Sequence, residues 1–501
     1  MRAEAMPSLK AKRETVLLVC VFAFFAVIGF LTIIDTYDDW FWGSADGLRE
    51  YLGGLKNTNG RWLGNAAAMA LTRSRLVAAL CYGTTGAAVV WSLPRLAGLR
   101  GVGWELATLL TLMCTAAVKT NNLWHWLSCF GNYTLPLAIL LPVLVLVRRH
   151  VLEEKELPKA AYALLPLVFA AQLFMEHYTI CFTIALLMAA VYASAKHRRP
   201  DALLLSFALT ALAGAVLMFL HPVYWYAIPQ STQTGIHQYS VFGSLTEFVS
   251  GIVYHLLHPK FGFAFGFLSE WFFCFAVGGS LLYFFLRVKP KGWRGLSALQ
   301  CVFLFRVSYV LLIGDMFTSS MDYSNGTRLQ YTILTLRLLL LCAELAAAFY
   351  ALWHFPKARQ TLRAAVFCAV SAAAPLLFVY PIPSRVWFLP LLFTYAALFR
   401  LAAECRVLLP ESALRPFFKP LLAFLCAMIS IASLAQNGRM FLMAANREKD
   451  IQAQIAAGNQ TIFVSYIAKH TRGEAEKTAF RARYNLPKDT QIIFLKEGET
   501  P

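Results

Sequence analysis

Asp35, Asp38 and Asp39 follow directly on the first long apolar run of the chain, Val16 to Ile34. Neighbouring carboxylates raise one another's pKa and bind hard cations, so such a group can supply a general base, a metal ligand or both. The apolar run is long enough to cross a bilayer, and Arg2, Lys10, Lys12 and Arg13 precede it. By the positive-inside rule the three acids then stand on the outer side of the membrane.

Other residues with chemical potential are expected on the same face. Glu176 and His177 sit between two apolar runs with almost no connecting loop, which places an acid and an imidazole at the tip of a tight hairpin. Asn122, Trp124, His125 and Trp126, with Asn132 and Tyr133, combine amides, an imidazole and aromatic rings, as a sugar-binding surface does. Arg61, Arg328 and Arg385 lie in outer loops and offer the planar donor fork that suits phosphate. Arg306 and Arg337 fall inside apolar runs, where pairing with Glu270 or Glu344 is expected. His221, His237, His255 and His258 gather in one outer segment without a zinc spacing, so no metal site is assigned to them.

The elements that must position these groups are membrane helices. Of the 501 residues 58% are hydrophobic and 14% charged, well below the share of charge in soluble domains. The net charge of +18 comes from clusters between apolar runs, a pattern of cytoplasmic loops and anionic lipid rather than of nucleic-acid binding. The eleven cysteines show no CxxC spacing, so neither a disulfide framework nor a zinc site is indicated. Run lengths predict an all-α polytopic protein of about thirteen transmembrane helices. Their starts fall near Val16, Leu76, Gly101, Leu127, Ala161, Tyr178, Ala202, Phe261, Leu296, Tyr331, Ala364, Val386 and Leu421.

Two segments stand apart from the spans. In the first outer loop, 35–65, Leu48, Tyr51, Leu52 and Leu55 have helical spacing and Trp40, Phe41 and Trp42 suit a headgroup layer, predicting a short helix lying on the membrane. The loop could bring Arg61 back beside the carboxylates. After residue 436 the composition turns charged, and 437–501 reads as a small α/β domain on the outer face: helix 440–455, strand 461–467, helix 474–484, strand 491–495.

The Asp38-Asp39 pair after span one, Asn59-Gly60-Arg61-Trp62 before span two, the stretch WLSCFGNYTLP from Trp126 to Pro136, Glu176 and the Pro381-x-Pro383-Ser384-Arg385 loop resemble the GT-C superfamily of polytopic glycosyltransferases. Within it, the match is to bacterial membrane families related to the lipopolysaccharide glucosyltransferases. The resemblance implies transfer of a sugar, with inversion, from a polyprenyl-phosphate carrier to a cell-envelope glycan or lipid acceptor at the outer face of the bacterial inner membrane. It implies catalytic roles for Asp38, Asp39 and Glu176 and donor-phosphate binding by Arg385, Arg61 and Arg328. Asp35, His177, Asn122, Trp124, His125, Trp126, Asn132, Tyr133 and His221 would contact substrate, and participation of a divalent cation stays open. The N-terminus is expected in the cytoplasm and the C-terminus in the periplasm. Two other readings compete: a lipid-linked glycan polymerase or ligase, and a secondary transporter, which would place its ionisable groups at the midplane.

Overall fold

The structure is a computed structural model that describes residues 5–56, 58–118, 121–225, 238–239, 246, 356–380, 384–407, 415–465, 467 and 473–495. Arg328, His237, His255, His258, Glu270, Arg306, Arg337 and Glu344 lie outside the described residues, as do the spans expected near Phe261, Leu296 and Tyr331.

The protein is a largely helical membrane protein. Its first half runs α1 (Ala5–Leu31), α2 (Tyr37–Gly43), α3 (Ala45–Leu52), α4 (Trp62–Arg73), α5 (Arg75–Leu96), α6 (Val102–Val118), α7 (Asn121–His125) and α8 (Leu127–Glu153). It continues with α9 (Leu165–Ala171), α10 (Glu176–His197) and α11 (Ala202–Phe219). Later come α12 (Pro356–Ala373), α13 (Phe388–Val407), α14 (Arg415–Ala456) and α15 (Glu474–Tyr484). Among the described residues seven helical stretches are long and apolar enough to cross a membrane: 11–31, 75–96, 127–153, 176–197, 202–219, 385–404 and 419–456. These coincide with expected spans. Those expected near Gly101 and Ala161 are instead shorter apolar helices, 102–114 and 159–171, and α12 does not reach the apolarity of a span.

Packing begins between α1 and α5. Gly83 and Gly86 of α5 seat Phe22 and Phe25 of α1, where a Cβ would collide with either ring. In lipid, where no hydrophobic force joins helices, such small-residue contacts are what draws them together. Phe25 then meets Trp124, and Tyr82 stacks on Phe130 with ring centroids 3.6 Å apart, extending one core through α8. Trp124 is therefore a buried core residue rather than part of a binding surface. At one end of the bundle basic residues collect: Arg95 pairs with Glu14 and with Glu105, Arg148 with Glu153, and Lys196 with Glu154. The opposite end carries α2, α3, α4 and the hairpin before α10.

Helix α14 is 42 residues long. At 1.5 Å per residue it spans roughly twice the ~30 Å hydrocarbon layer, so its second half projects beyond the membrane. The compositional change at residue 437 is thus no break in the chain, and the helix expected over 440–455 is the continuation of the last span. Beyond it β3 (Thr461–Ser465), α15 and β4 (Gln491–Leu495) form a βαβ unit, its strands parallel and in register from Thr461 and Gln491 to Ser465 and Leu495. The chain also pairs β1 (Gln238–Tyr239) with β2 (Val379–Tyr380), antiparallel.

A two-stranded sheet is marginal alone, and two devices support this one. Gln454 of α14 accepts from the Phe463 N–H at 2.8 Å and donates to the Phe463 carbonyl at 3.0 Å, satisfying an open strand edge. Trp40 of α2 completes the core of Ile451, Ile462, Val464, Ala479, Phe480 and Ile492, lying 6.0 Å from the Phe494 ring and edge-on to Phe480 at 5.4 Å. Trp42 is buried against Leu55, Ala68 and Met69. The expectation that Trp40 and Trp42 lie in the headgroup layer is thus overturned: apolar partners remote in sequence bury both. The surface helix is shorter than its spacing suggested, because α3 ends at Leu52 and Leu55 turns into the left-handed region, with φ 57°, to insert into that second cluster.

Candidate functional site

Helix α2 presents the carboxylates. Its N-cap Thr36 accepts from the Asp39 N–H at 3.3 Å, which puts Asp38 and Asp39 in the first turn, where the helix dipole favours negative charge. The three acids then part company. Asp35, before the helix, is buried and pairs with Arg447 of α14. Asp39 is fully buried, and its Oδ1 accepts from both the N–H and the Oγ–H of Ser128, at 2.8 and 2.6 Å. Burial pushes Asp39 up to about 7 against the pull of the Ser128 hydrogen bonds. Only Asp38 is partly exposed. Burial raises it as well, while the positive charges of Arg385 and Arg61 draw it down.

Arg61 arrives through the turn before α4, and each residue of Asn59-Gly60-Arg61-Trp62 has a traceable task. Asn59 Oδ1 accepts from the Arg61 N–H at 3.1 Å and from Asn65 Nδ2 at 3.0 Å. Gly60 passes so close to Met218, His221 and Tyr224 that a Cβ would stand 2.7–2.9 Å from all three, and its N–H donates to the Tyr224 hydroxyl at 3.2 Å. Arg61 Nε donates to both carboxylate oxygens of Glu176, at 2.8 and 3.0 Å. Trp62 meets the His221 ring edge-on at 5.7 Å. The N–H groups of Leu63 and Gly64, orphaned at the start of α4, go to the Leu173 carbonyl and tie this turn to the hairpin that carries Glu176.

Glu176 has a second partner, because the Tyr224 hydroxyl donates to its Oε1 at 2.6 Å. Burial disfavours the Arg61 charge, yet the Glu176 carboxylate more than offsets this and raises its pKa. Glu176 therefore holds Arg61 in place and has little freedom to accept a proton from a third party. His177 is buried beside Tyr133, 6.1 Å between ring centroids. His221 Nε2 lies 3.2 Å from the Gly54 carbonyl and closes the first loop onto the end of α11.

The far wall comes from α8, whose first turns contain a π-helical segment, Phe130–Thr134, closed by the Leu135 N–H on the Phe130 carbonyl. Such an insertion re-aims side chains and is common at functional sites. Here it presents Asn132 and Tyr133. Asn132 Nδ2 donates to the Ser128 carbonyl at 2.9 Å. The Arg385 guanidinium stands over the Trp126 ring at 4.9 Å and the Tyr133 ring at 5.7 Å. Among the described residues Arg385 forms no ion pair. Among the described residues four buried polar atoms around this wall have no hydrogen-bond partner: Asp39 Oδ2, Asn132 Oδ1, Trp126 Nε1 and His177 Nε2. That is an unusual concentration of unmet donors and acceptors, of both kinds.

The structure thus brings together Asp38, Asp39, Arg61, Trp126, Asn132, Tyr133, Glu176, His177, His221 and Arg385. It places Asp35 elsewhere, with Arg447, and Trp124 in the core. His125 Nε2 lies 3.2 Å from Asn437 Nδ2 of α14, and Asn122 belongs to α7. Ser128 and Tyr224 belong to the site and were not singled out by sequence reasoning. Ser128 lies within the WLSCFGNYTLP stretch, whereas Tyr224 has no local signal beyond its helical spacing from His221. Among the described residues no three His, Cys, Asp or Glu side chains converge as metal ligands. Comparison with known proteins finds no matching family, no matching curated protein and no matching solved structure.

Proposed function

We propose that the chain is an inverting glycosyltransferase of the GT-C type, which moves a sugar from a polyprenyl-phosphate carrier to a glycan or lipid acceptor of the bacterial cell envelope. The observation that carries this reading is the state of Asp38: the one partly exposed acid of the three, raised by burial and facing two arginines. A base with a raised pKa opposite cations that can take up leaving-group charge is what glycosyl transfer from a phosphate requires.

In this mechanism Asp38 accepts the proton of the acceptor hydroxyl as its oxygen bonds to the anomeric carbon from the face opposite the phosphate. The bond between that carbon and the phosphate oxygen breaks, and the negative charge collects on the departing phosphate. Arg385 meets it, held by the faces of Trp126 and Tyr133, which orient a guanidinium without neutralising it. Arg61 contributes through its Nη atoms, since its hydrogen bonds to Glu176 use Nε. The unmet polar atoms of Asn132, Trp126 and His177 suit the hydroxyls of a sugar, with ring faces beside them.

The site stands at the end of the bundle opposite the basic clusters of Arg95, Arg148 and Lys196. The positive-inside rule then supports a periplasmic site and C-terminal unit and a cytoplasmic N-terminus. The test is lipid mass spectrometry of the purified protein together with a transfer assay. A co-purified polyprenyl-phosphate lipid, and its turnover by the wild type but not by Asp38→Asn, is the expected result; unimpaired turnover by Asp38→Asn overturns the assignment of the base.

A further inference from the structure

A cavity of about 400 Å³ lies where the end of α1, the α4–α5 junction, the projecting part of α14 and the end of α15 meet. Its lining includes none of Asp38, Arg61, Glu176 or Arg385. Four arginines reach it, Arg73, Arg75, Arg447 and Arg483, against one lining carboxylate, Glu448. Arg447 is paired with Asp35, and Glu448 accepts from the Tyr484 hydroxyl at 2.6 Å.

The other three arginines form no ion pair among the described residues. Each is tethered by a backbone carbonyl instead: Arg73 by Ser44 at 2.7 Å, Arg75 by Phe30 at 3.2 Å and Arg483 by Gly43 at 2.7 Å. A carbonyl fixes a guanidinium in space and leaves its charge in place. The Arg483 guanidinium lies directly against Gly43, where a Cβ would displace it. Burial, and after it the like charge of Arg483, hold Arg73 below the usual guanidinium value. Convergent, tethered guanidiniums form a donor set for an oxyanion of more than one charge.

The rim is apolar. Arg75 lies 4.4 Å from the Phe441 ring centroid, and Phe30 stacks on Phe441 at 6.3 Å. Phe30, Leu76 and Leu80 are 46%, 67% and 51% exposed, and the two leucines lie one turn apart on the same face of α5. An anion that arrives attached to an alkyl chain would find charge inside and apolar surface outside.

We propose that this cavity binds the phosphate headgroup of a membrane lipid, with the lipid tail running along the exposed face of α1 and α5. The site is separate from the Asp38 site and does not depend on glycosyl transfer. Because Arg73 and Arg483 hold the carbonyls of Ser44 and Gly43, at the C-terminal end of α2, its occupancy bears on the helix that presents Asp38.

The full chain, in an uncharged detergent, can be tested by native mass spectrometry with dioleoylphosphatidic acid, with dioleoylglycerol and with inorganic phosphate. Phosphatidic acid should bind at least about tenfold more tightly than either, because only it combines charge and tail. The double variant Arg73→Gln/Arg483→Gln should lose that preference. Ala445→Trp, which fills the cavity and removes no arginine, should lose it too and separates occupancy from any loosening of α2. Equal binding of dioleoylglycerol, or equal binding of inorganic phosphate as a free ion, overturns the proposal. So does undiminished phosphatidic acid binding by Ala445→Trp.

Discussion

Arg61 and Glu176, 115 residues apart, are joined by one guanidinium N–H shared between both carboxylate oxygens at 2.8 and 3.0 Å. The pair is mostly buried, with side chains 18% and 17% exposed, and it bolts the turn before α4 to the hairpin before α10. Removing one member leaves the other charge buried and unpaired, typically a loss of about 3–5 kcal/mol. Arg61→Met and Glu176→Leu should each destabilise on that scale, while the double variant should lose clearly less than their sum. Chemical denaturation of the four proteins of this cycle checks it, and strict additivity would show that the pair does not couple.

Asp38 and Asp39 are adjacent in sequence and opposite in circumstance. Asp38→Asn should reduce transfer by roughly 10²- to 10⁴-fold, as loss of a general base does, with the unfolding midpoint little changed. Arg385→Lys should recover only part of the rate that Arg385→Ala loses, because an ammonium keeps the charge and forfeits the planar fork. Initial rates on a polyprenyl-phosphate sugar measure both.

Asp39 supplies a pH signature in stability. Its folded pKa of about 7 lies above the ordinary 3.8, so between those values the folded protein retains a proton that the unfolded chain has released. Stability from this group therefore falls as pH rises from about 4 to 7 and is level on either side. Asp39→Asn cannot titrate. Plotted against pH, the wild-type unfolding midpoint minus that of the variant should decline across this window; a flat difference would mean that Asp39 is ionised throughout.

Trp40 joins α2 to the C-terminal unit. Trp40→Ala should cost about 3–5 kcal/mol of local stability, the usual range for removing a buried tryptophan. The segment after α14 should then become accessible to protease under native conditions while the membrane helices stay intact. Mass analysis of limited digests reads this directly, and equal resistance of the two proteins would count against the clamp.

How much of this was legible before folding depends on the range over which each feature is decided. Membrane helices follow from run length, because the hydrocarbon layer demands about twenty apolar residues in succession whatever surrounds them. The runs from Val16, Leu76, Leu127, Tyr178, Ala202, Val386 and Leu421 therefore became helices long enough to span. The βαβ elements of the C-terminal unit were legible for the same reason: the short strand-like runs expected over 461–467 and 491–495, of which the first forms strand only to Ser465, and the helical pattern of 474–484 are local properties.

Partnership is not local, and there the tertiary structure decided. Three aspartates within five positions carry no mark of which is free, because their fates are set by Arg447, 412 residues from Asp35, and by Ser128, 89 residues from Asp39. Trp40 looked like an interfacial anchor because an indole suits a headgroup layer and a core equally well, and only the placement of Phe480 and Phe494 chose the core. Glu176 was visible as an acid at membrane depth, where an unpaired charge is costly; that it would be satisfied by Arg61 and Tyr224 depended on where α4 and the end of α11 came to rest.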